Sequence, residues 1–348
     1  MVNSYGPNAY FAARNGYNGF KSYFKDVFDV NSFKRIFVLK GGPGTGKSSF
    51  MKKLLQYAEE KKIFCERIYC SSDPNSLDGI ILNKSIAVID GTAPHEEDTK
   101  LPGVVDEIIN LGENWNEDIL KKNETDIKNL NKKKKDFYKS AYNYLSFCEK
   151  IDNYLFCLAK SNYDISAAKK TVGELISDRK KNTNPKREIR LISAFGRGGY
   201  TKLSTLETGA KKIFNVLGKY ESEYVFMSLL YDFLCTDYSF TLFPSPFSEE
   251  KIEAISFDKN ETVIETNAAS GEKIDTLRFL NFDRQTAEEA EFLTGIKAEL
   301  LKKAEYFFSL ASEKHFLLEK IYTAAMDFSK NEMLLEETRE KISKILKL

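Results

Sequence analysis

Short runs of apolar, β-forming residues alternate along this chain with segments whose apolar residues recur every three or four positions. The stretches 35–39 (RIFVL), 65–70 and 86–89 (IAVI) are of the first kind and predict buried strands. Phe50, Met51, Leu54, Leu55 and Tyr57 are of the second kind and predict a helix soon after the first of those strands. Much longer helical patterns follow. One is Leu120, Ile127, Leu130, Phe137, Ala141, Tyr144, Cys148, Ile151 and Leu155; the other is Leu293, Leu300, Ala304, Phe307, Ala311, Leu318, Ile321 and Ala325. Their spacing is that of a coiled-coil seam. Asn123 and Lys134 interrupt the first seam, so it is expected to pack on a partner helix and not to stand as a long free coil. Strands alternating with helices predict an α/β fold, a parallel sheet flanked by helices.

The same order of segments comes twice. FAARNGY (11–17) resembles ISAFGRGGY (192–200), RIFVLKG (35–41) lines up with KIFNVLG (212–218), FMKKLLQY (50–57) with FMSLLYDF (226–233), and SIAVIDGTA (85–93) with NETVIETNA (260–268). Four weak matches in one order imply an ancient duplication. The expected layout is an α/β domain over 1–103, a helical arm over 104–184, a second α/β domain over 185–283 and a second arm over 284–348. The polar stretch 178–187 (DRKKNTNPKR) is the candidate linker.

Composition narrows the setting. The 348 residues are 42% hydrophobic and 30% charged, enough apolar material for a sizeable core. Fifty-two basic residues against 51 acidic leave a net charge of +1, so no global field draws nucleic acid or an anionic membrane. Apolar runs fall short of the ~20 residues a membrane span needs. The first residues lack the charged and apolar regions of a signal peptide. Five cysteines without paired or metal-ligand spacing fit reduced thiols in a cytoplasmic protein. Lys132 to Lys135 reads as the solvated face of a helix, and His315 as a packed residue on the second seam.

The chemistry concentrates where the first strand meets the first helix. Gly41, Gly42, Pro43, Gly44, Thr45, Gly46, Lys47 and Ser48 satisfy G-x-x-x-x-G-K-[ST] between a strand and a helix, with Ser49 next in line. Glycines let a backbone wrap phosphate oxygens, and the amides of residues 44–47 are expected to form an anion nest at a helix N-terminus. Lys47 is expected to reach the β- and γ-phosphates of ATP, and Ser48 to ligate Mg²⁺. Asp90, ending an apolar strand, is the candidate second magnesium group of the Walker B type, against the reading of an N-cap. The next residue is Gly91, where many motor-type ATPases carry a water-polarising glutamate. Thr92, His95, Glu96 and Glu97 are the nearby polar candidates. Ser71–Gly79 (SSDPNSLDG) follows a strand; Asp73 and Asp78 either orient water or an acceptor there, or the segment is an Asx turn capping a helix from near Ser76.

The second copy has different residues at this point. Aligned linearly, Tyr224 and Val225 replace Lys47 and Ser48, Glu221 and Glu223 enter the loop, and Glu265 replaces Asp90. Carboxylates there would repel a triphosphate, so the second half is expected to bind no ATP in the usual way.

GGPGTGKS, SSDPNSLDG, IDGTAPH and VVDEIINLGENW (104–115) together resemble an uncharacterised family of bacterial tandem P-loop proteins, usually described only as ATPases. The likeness covers nearly the whole chain and is most specific at IDGTAPH. It implies a duplicated P-loop fold and ATP binding, but no substrate; the second loop, often intact in that family, departs from it here. Three functions remain open: hydrolysis of ATP with Mg²⁺ at one site, coupled to movement of the arms; phosphoryl transfer to a small molecule, though no arginine cluster to clamp an acceptor is evident; and a non-catalytic ATP sensor or scaffold. The arms are the surface through which a homo-oligomer or a protein partner would attach.

Overall fold

Two six-stranded sheets, one from each half of the chain, pack together through a shared apolar core. The computed structural model of the protein describes residue 5 and residues 8–95 and 97–348. In the first half, strand β1 (Ala9–Phe11) leads into a hairpin of β2 (Ala13–Gly16) and β3 (Gly19–Ser22) and a short helix α1 (Phe24–Val27). Strand β4 (Arg35–Lys40), helix α2 (Lys47–Glu60) and strands β5 (Cys65–Tyr69), β6 (Leu77–Leu82), β7 (Ile86–Asp90) and β8 (Asp106–Asn110) complete its body. Helices α3 (Glu117–Lys122), α4 (Glu124–Ser161) and α5 (Ile165–Leu175) form the first arm. The second half repeats the plan with β9 (Arg187–Ile189), the hairpin β10 (Ser193–Gly196) and β11 (Gly199–Lys202), α6 (Thr205–Gly209), β12 (Lys212–Leu217) and α7 (Ser222–Leu234). Strands β13 (Phe240–Pro244), β14 (Ile252–Phe257), β15 (Thr262–Thr266) and β16 (Glu272–Asp275) follow, then arm helices α8 (Arg284–Ala325) and α9 (Phe328–Leu346).

The first sheet runs β1-β5-β6-β7-β4-β8 and the second β9-β13-β14-β15-β12-β16, so the expected duplication is visible strand by strand. Both sheets are mixed, which corrects the expectation of a parallel sheet. β4 pairs in parallel with β7 and β8, and β1 with β5, but β6 runs antiparallel to both neighbours. The connections 70–76 and 83–85 are too short for a crossover helix, and strands joined that way reverse direction. The helix expected near Ser76 is this strand, buried along its whole length. The segment 104–115, expected to open the arm, instead contributes β8 to the sheet and a 3-10 turn over Leu111–Asn114, so the first arm helix begins at Glu117.

Alternation along the strands divides the core. Ile36, Val38, Ala87 and Ile89 on one face meet Phe243, Ala254 and Val263 of the other half. Phe37, Leu39, Ile86 and Val88 on the opposite face pack under α2, and Phe214, Val216 and Ile264 pack under α7.

The arms lie antiparallel to each other: Phe137 meets Phe307, Tyr142 meets Phe308, and Tyr154 reaches Glu289. The partner helix required by the interrupted seam is therefore the other arm. Buried Ala141, Leu145, Cys148 and Leu155 match Ala304, Phe308, Ala311 and Leu318 at a constant offset of 163 positions (141 to 304, for example). Each arm crosses to the opposite half. Val172 and Ala168 of α5 join the core of the second body, while Leu335 and Ile342 of α9 join Phe50, Met51 and Leu54 of α2 in the first. Among the described residues no helix is long and apolar enough to cross a membrane.

Candidate functional site

The loop 41–46 leaves the end of β4 and turns into α2 through three glycines with positive φ: Gly41 at 146°, Gly44 at 72° and Gly46 at 88°. These are conformations that side chains resist. Thr45 is fully buried and donates its hydroxyl to Gly42 O at 2.9 Å, closing the turn. Among the described residues, the amides of Gly44, Gly46 and Lys47 have no hydrogen-bond acceptor. They stand at the positive end of a 14-residue helix. Lys47 folds back and donates to the carbonyls of Gly41 and Gly42, each at 2.9 Å, and lies 3.7 Å from Asp90 Oδ2. Ser48 Oγ accepts the Leu77 amide at 3.0 Å, tying the helix start to the entry of β6. Ser49 points to solvent on the exposed side of the same turn. Pro43 sits at the tip of the turn and is half-buried.

Asp90 is placed by β7, whose last residue pairs with Leu39 of β4 beside the loop. Its Oδ1 accepts the Thr92 amide at 2.9 Å and the Thr92 hydroxyl at 2.5 Å. Burial pushes this carboxyl above its ordinary range, while Lys47 and the Thr92 hydroxyl pull the other way. Gly91 has a steric reason: a Cβ there would stand 2.3 Å from Val38 Cγ1, so a glutamate does not fit. Asp78 and His95 form a buried pair, Nε2 to Oδ2 at 3.0 Å, with the imidazole stacked on Phe24 at 4.0 Å between ring centres. His95 is thus part of the packing behind Asp90. Glu97 contributes a carbonyl that accepts from Lys40 at 2.7 Å, and Glu96 lies outside the described residues.

The segment 71–76 is an Asx turn, with Asp73 Oδ1 accepting the Asn75 amide at 3.1 Å, but it leads into a strand and not a helix. Asp73 also pairs with Arg197 at 2.8 Å. Arg197 comes from the turn between β10 and β11 and stacks its guanidinium over Phe316 of α8 at 4.9 Å. The structure therefore brings a single arginine from the second half to this site.

The second half also lays the end of its arm against the loop. A Cβ at Gly44 would meet Glu319 O at 2.5 Å, and one at Gly42 would meet Tyr322 Cε1 at 3.2 Å. Thr323 donates to Gly44 O at 3.3 Å and Asn331 to Thr45 O at 2.9 Å. His315 lies one turn before Glu319, 3.5 Å from it. Burial, with Lys134 and Lys47 nearby, lowers the His315 pKa to about 4 and keeps the ring neutral at pH 7. Lys134 of α4 faces these groups and is half-buried, whereas Lys132, Lys133 and Lys135 are exposed. The solvated-face reading holds for three lysines of the run and fails for the fourth. Arg197, Glu319, Asn331 and Lys134 escaped the sequence reading as site residues because no local motif marks residues delivered from distant parts of the chain. The one available signal was Lys134 interrupting the seam.

The equivalent place in the second half is filled by the protein itself. Its loop spans four residues (218–221) against six (41–46), and Glu221 is the left-handed residue before α7, as Gly46 is before α2. Ser222 and Glu223 therefore stand where Lys47 and Ser48 stand, which corrects the linear match to Tyr224 and Val225. The ladders correct a second match. Val216, the counterpart of Leu39, pairs with Thr266, so Thr266 and not Glu265 occupies the rung of Asp90. Glu265 lies one rung back, on the face toward the first half, paired with Lys202 at 2.8 Å. Around Glu221, Lys251 pairs with Asp152 at 2.7 Å and with Glu221 itself, and Lys297 pairs with Asp152 at 2.5 Å and Glu221 at 3.2 Å. Tyr17 donates to Asp152. Burial disfavours the Lys297 ammonium, yet Glu221 and Asp152 overcome it and raise its pKa. Burial together with Glu221 pushes Glu223 up to about 7.

No protein-family model, curated protein or solved structure matches this chain.

Proposed function

We propose that the protein is an ATP-binding P-loop NTPase that hydrolyses ATP with Mg²⁺ at one site in its first half and couples that event to movement of the helical arms. The observation that carries this reading is the loop 41–46. Amides without acceptors at a helix N-terminus meet Lys47 and Asp90, 3.7 Å apart, at adjacent strand ends. Lys47 satisfies the loop carbonyls; a triphosphate would exchange those two bonds for charge-assisted ones to phosphate oxygens. Ser48 and Asp90 would hold Mg²⁺ together with phosphate oxygens and waters, a donor set that suits an ion which keeps few protein ligands. The ion would neutralise charge developing on the transferred phosphoryl group. With Gly91 closed to a side chain, Asp73 is the carboxylate at the strand ends best placed to orient water, and Arg197 fixes its direction. Asp78 is held away from this role by its bond with His95, and its charge opposes ionisation of Asp90. Coupling follows from Thr323 and Asn331, which hydrogen-bond the loop and belong to the second arm.

One observation favours phosphoryl transfer as a second reading. A pocket of about 410 Å³, lined by Asn75, Arg197, Ser309, Ser312 and Phe316, opens beside the 71–76 turn and has the size and polarity for a small acceptor.

A phosphate-release assay with Mg²⁺ and ATP separates them. Release without any added acceptor, lost by at least ~100-fold in Lys47→Ala, supports hydrolysis. Turnover only with added metabolite extract supports transfer, and tight binding without turnover leaves a sensor. Absence of ATP binding by the wild type overturns the proposal.

A further inference from the structure

The two halves hold one arm lysine each in matching positions. At the offset of 163 that relates the buried seams of α4 and α8, Lys134 corresponds to Lys297 and His315 to Asp152. Lys297 reaches from its arm to the loop of the second half, where Glu221 and Asp152 grip it at 3.2 and 2.5 Å. Glu221 grows from the left-handed residue that corresponds to Gly46. Its carboxylate is therefore an anion carried by the chain itself at the mouth of a strand–loop–helix turn.

The first half lacks both anions. Gly46 has no side chain, and His315 replaces the aspartate. Among the described residues Lys134 forms no ion pair within 4.0 Å, although it is half-buried, and both it and Lys47 act on His315 and Glu319. Burial and the neighbouring Lys135 hold its pKa below the usual lysine range, and the Glu319 carboxylate offsets them only in part. A neutral His315 leaves room beside it that a second cation would deny.

We infer that Lys134 is the residue by which the first arm grips the terminal phosphate of a nucleoside triphosphate held by the loop 41–46, so that the arms distinguish triphosphate from diphosphate. This rests on the nucleotide reading above and names the group that completes it. In the second half Glu221 plays the phosphate's part permanently, and that arm is locked. The ligand-dependent arm contact belongs to the first half alone.

The test is calorimetric binding of Mg²⁺ with ADP and with the β,γ-imido analogue of ATP, for the wild type, Lys134→Met and Lys133→Met. Lys134→Met is expected to weaken the triphosphate analogue by about tenfold or more, the loss of one charge-assisted hydrogen bond, with ADP affinity unchanged. Lys133→Met, on the exposed face, is expected to bind both as the wild type does. Equal loss of both nucleotides, or no loss of either, in a Lys134→Met protein that binds ADP overturns the inference while leaving the nucleotide site intact. A wild type that binds neither overturns the nucleotide reading and this inference with it. Thermal melts of each variant separate unfolding from lost contact, since a structural role would lower Tm and affect both nucleotides alike.

Discussion

The turns that follow β4 and β12 hold matching places in the two repeated halves and are built in opposite ways. The first, 41–46, has three left-handed glycines and, among the described residues, no acceptor for the amides of Gly44, Gly46 and Lys47, with Lys47 and Asp90 3.7 Å apart beside them. The second, 218–221, is two residues shorter and carries Glu221 in the left-handed position, where Lys251 and Lys297 hold it. One arrangement leaves positive potential unspent; the other consumes it within the chain. The comparison shows that the same strand–loop–helix turn can stand open or be filled by the chain's own charges. In the second half it holds a buried ion cluster that ties both arms to the body.

The sharpest way to break this comparison is to remove a key of the lock. Lys251→Met leaves Asp152 and Glu221 buried with one cation fewer, and is expected to cost about 3–5 kcal/mol in denaturant unfolding. If that variant unfolds at the wild-type midpoint, the second loop is not held by its ion cluster. Next in size is Gly44→Ala in the first loop. Its φ of 72° and a Cβ only 2.5 Å from Glu319 O require the second arm to lift, for a loss of about 2 kcal/mol. Faster hydrogen exchange in the last turns of α8, compared with wild type, is the signature to look for.

The smallest effect concerns Glu223, whose folded pKa is raised to about 7 by burial and by Glu221. Between the ordinary value of 4.5 and about 7 the folded state keeps a proton that the unfolded state has lost. Stability from this group therefore falls as pH rises through that window. Glu223→Gln has no such dependence, so from pH 5 to pH 8 the variant's Tm should gain on the wild type by roughly 2–4 °C. An unchanged difference across that range places Glu223 in water and not in the closed cluster.

Much of the fold was legible locally. β4, α2 and β7 follow from apolar runs and helical spacing, and the repeat read from four weak matches is visible in the two strand orders, with the register corrected at the loop and at Asp90. β6 was missed because Leu77–Leu82 directly follows a turn that also reads as a helix cap; hydrogen-bond partners across the sheet settle that choice, and they lie outside any local window. β8 was taken into the arm for the same reason. At the loop, Gly41 to Ser48 and Asp90 were legible because their residue types are dictated by backbone geometry and strand ends. Arg197, Lys134 and Glu319 were not, since only the crossing of the arms brings them near.

By itself, then, the sequence determined two α/β bodies, two long amphipathic helices, and a glycine-rich turn on the first body but not the second. Those features depend on periodicity and on conformations open to particular residues, and both are local properties of the chain. The tertiary structure alone decided that the end of each arm packs on the opposite half. It also decided that Lys134 faces inward from a run of exposed lysines, and that Glu221 meets Lys251 and Lys297 in a buried cluster. The physical reason is that burial and charge pairing depend on distance in space, and the antiparallel packing of α4 on α8 sets those distances for residues far apart in the chain.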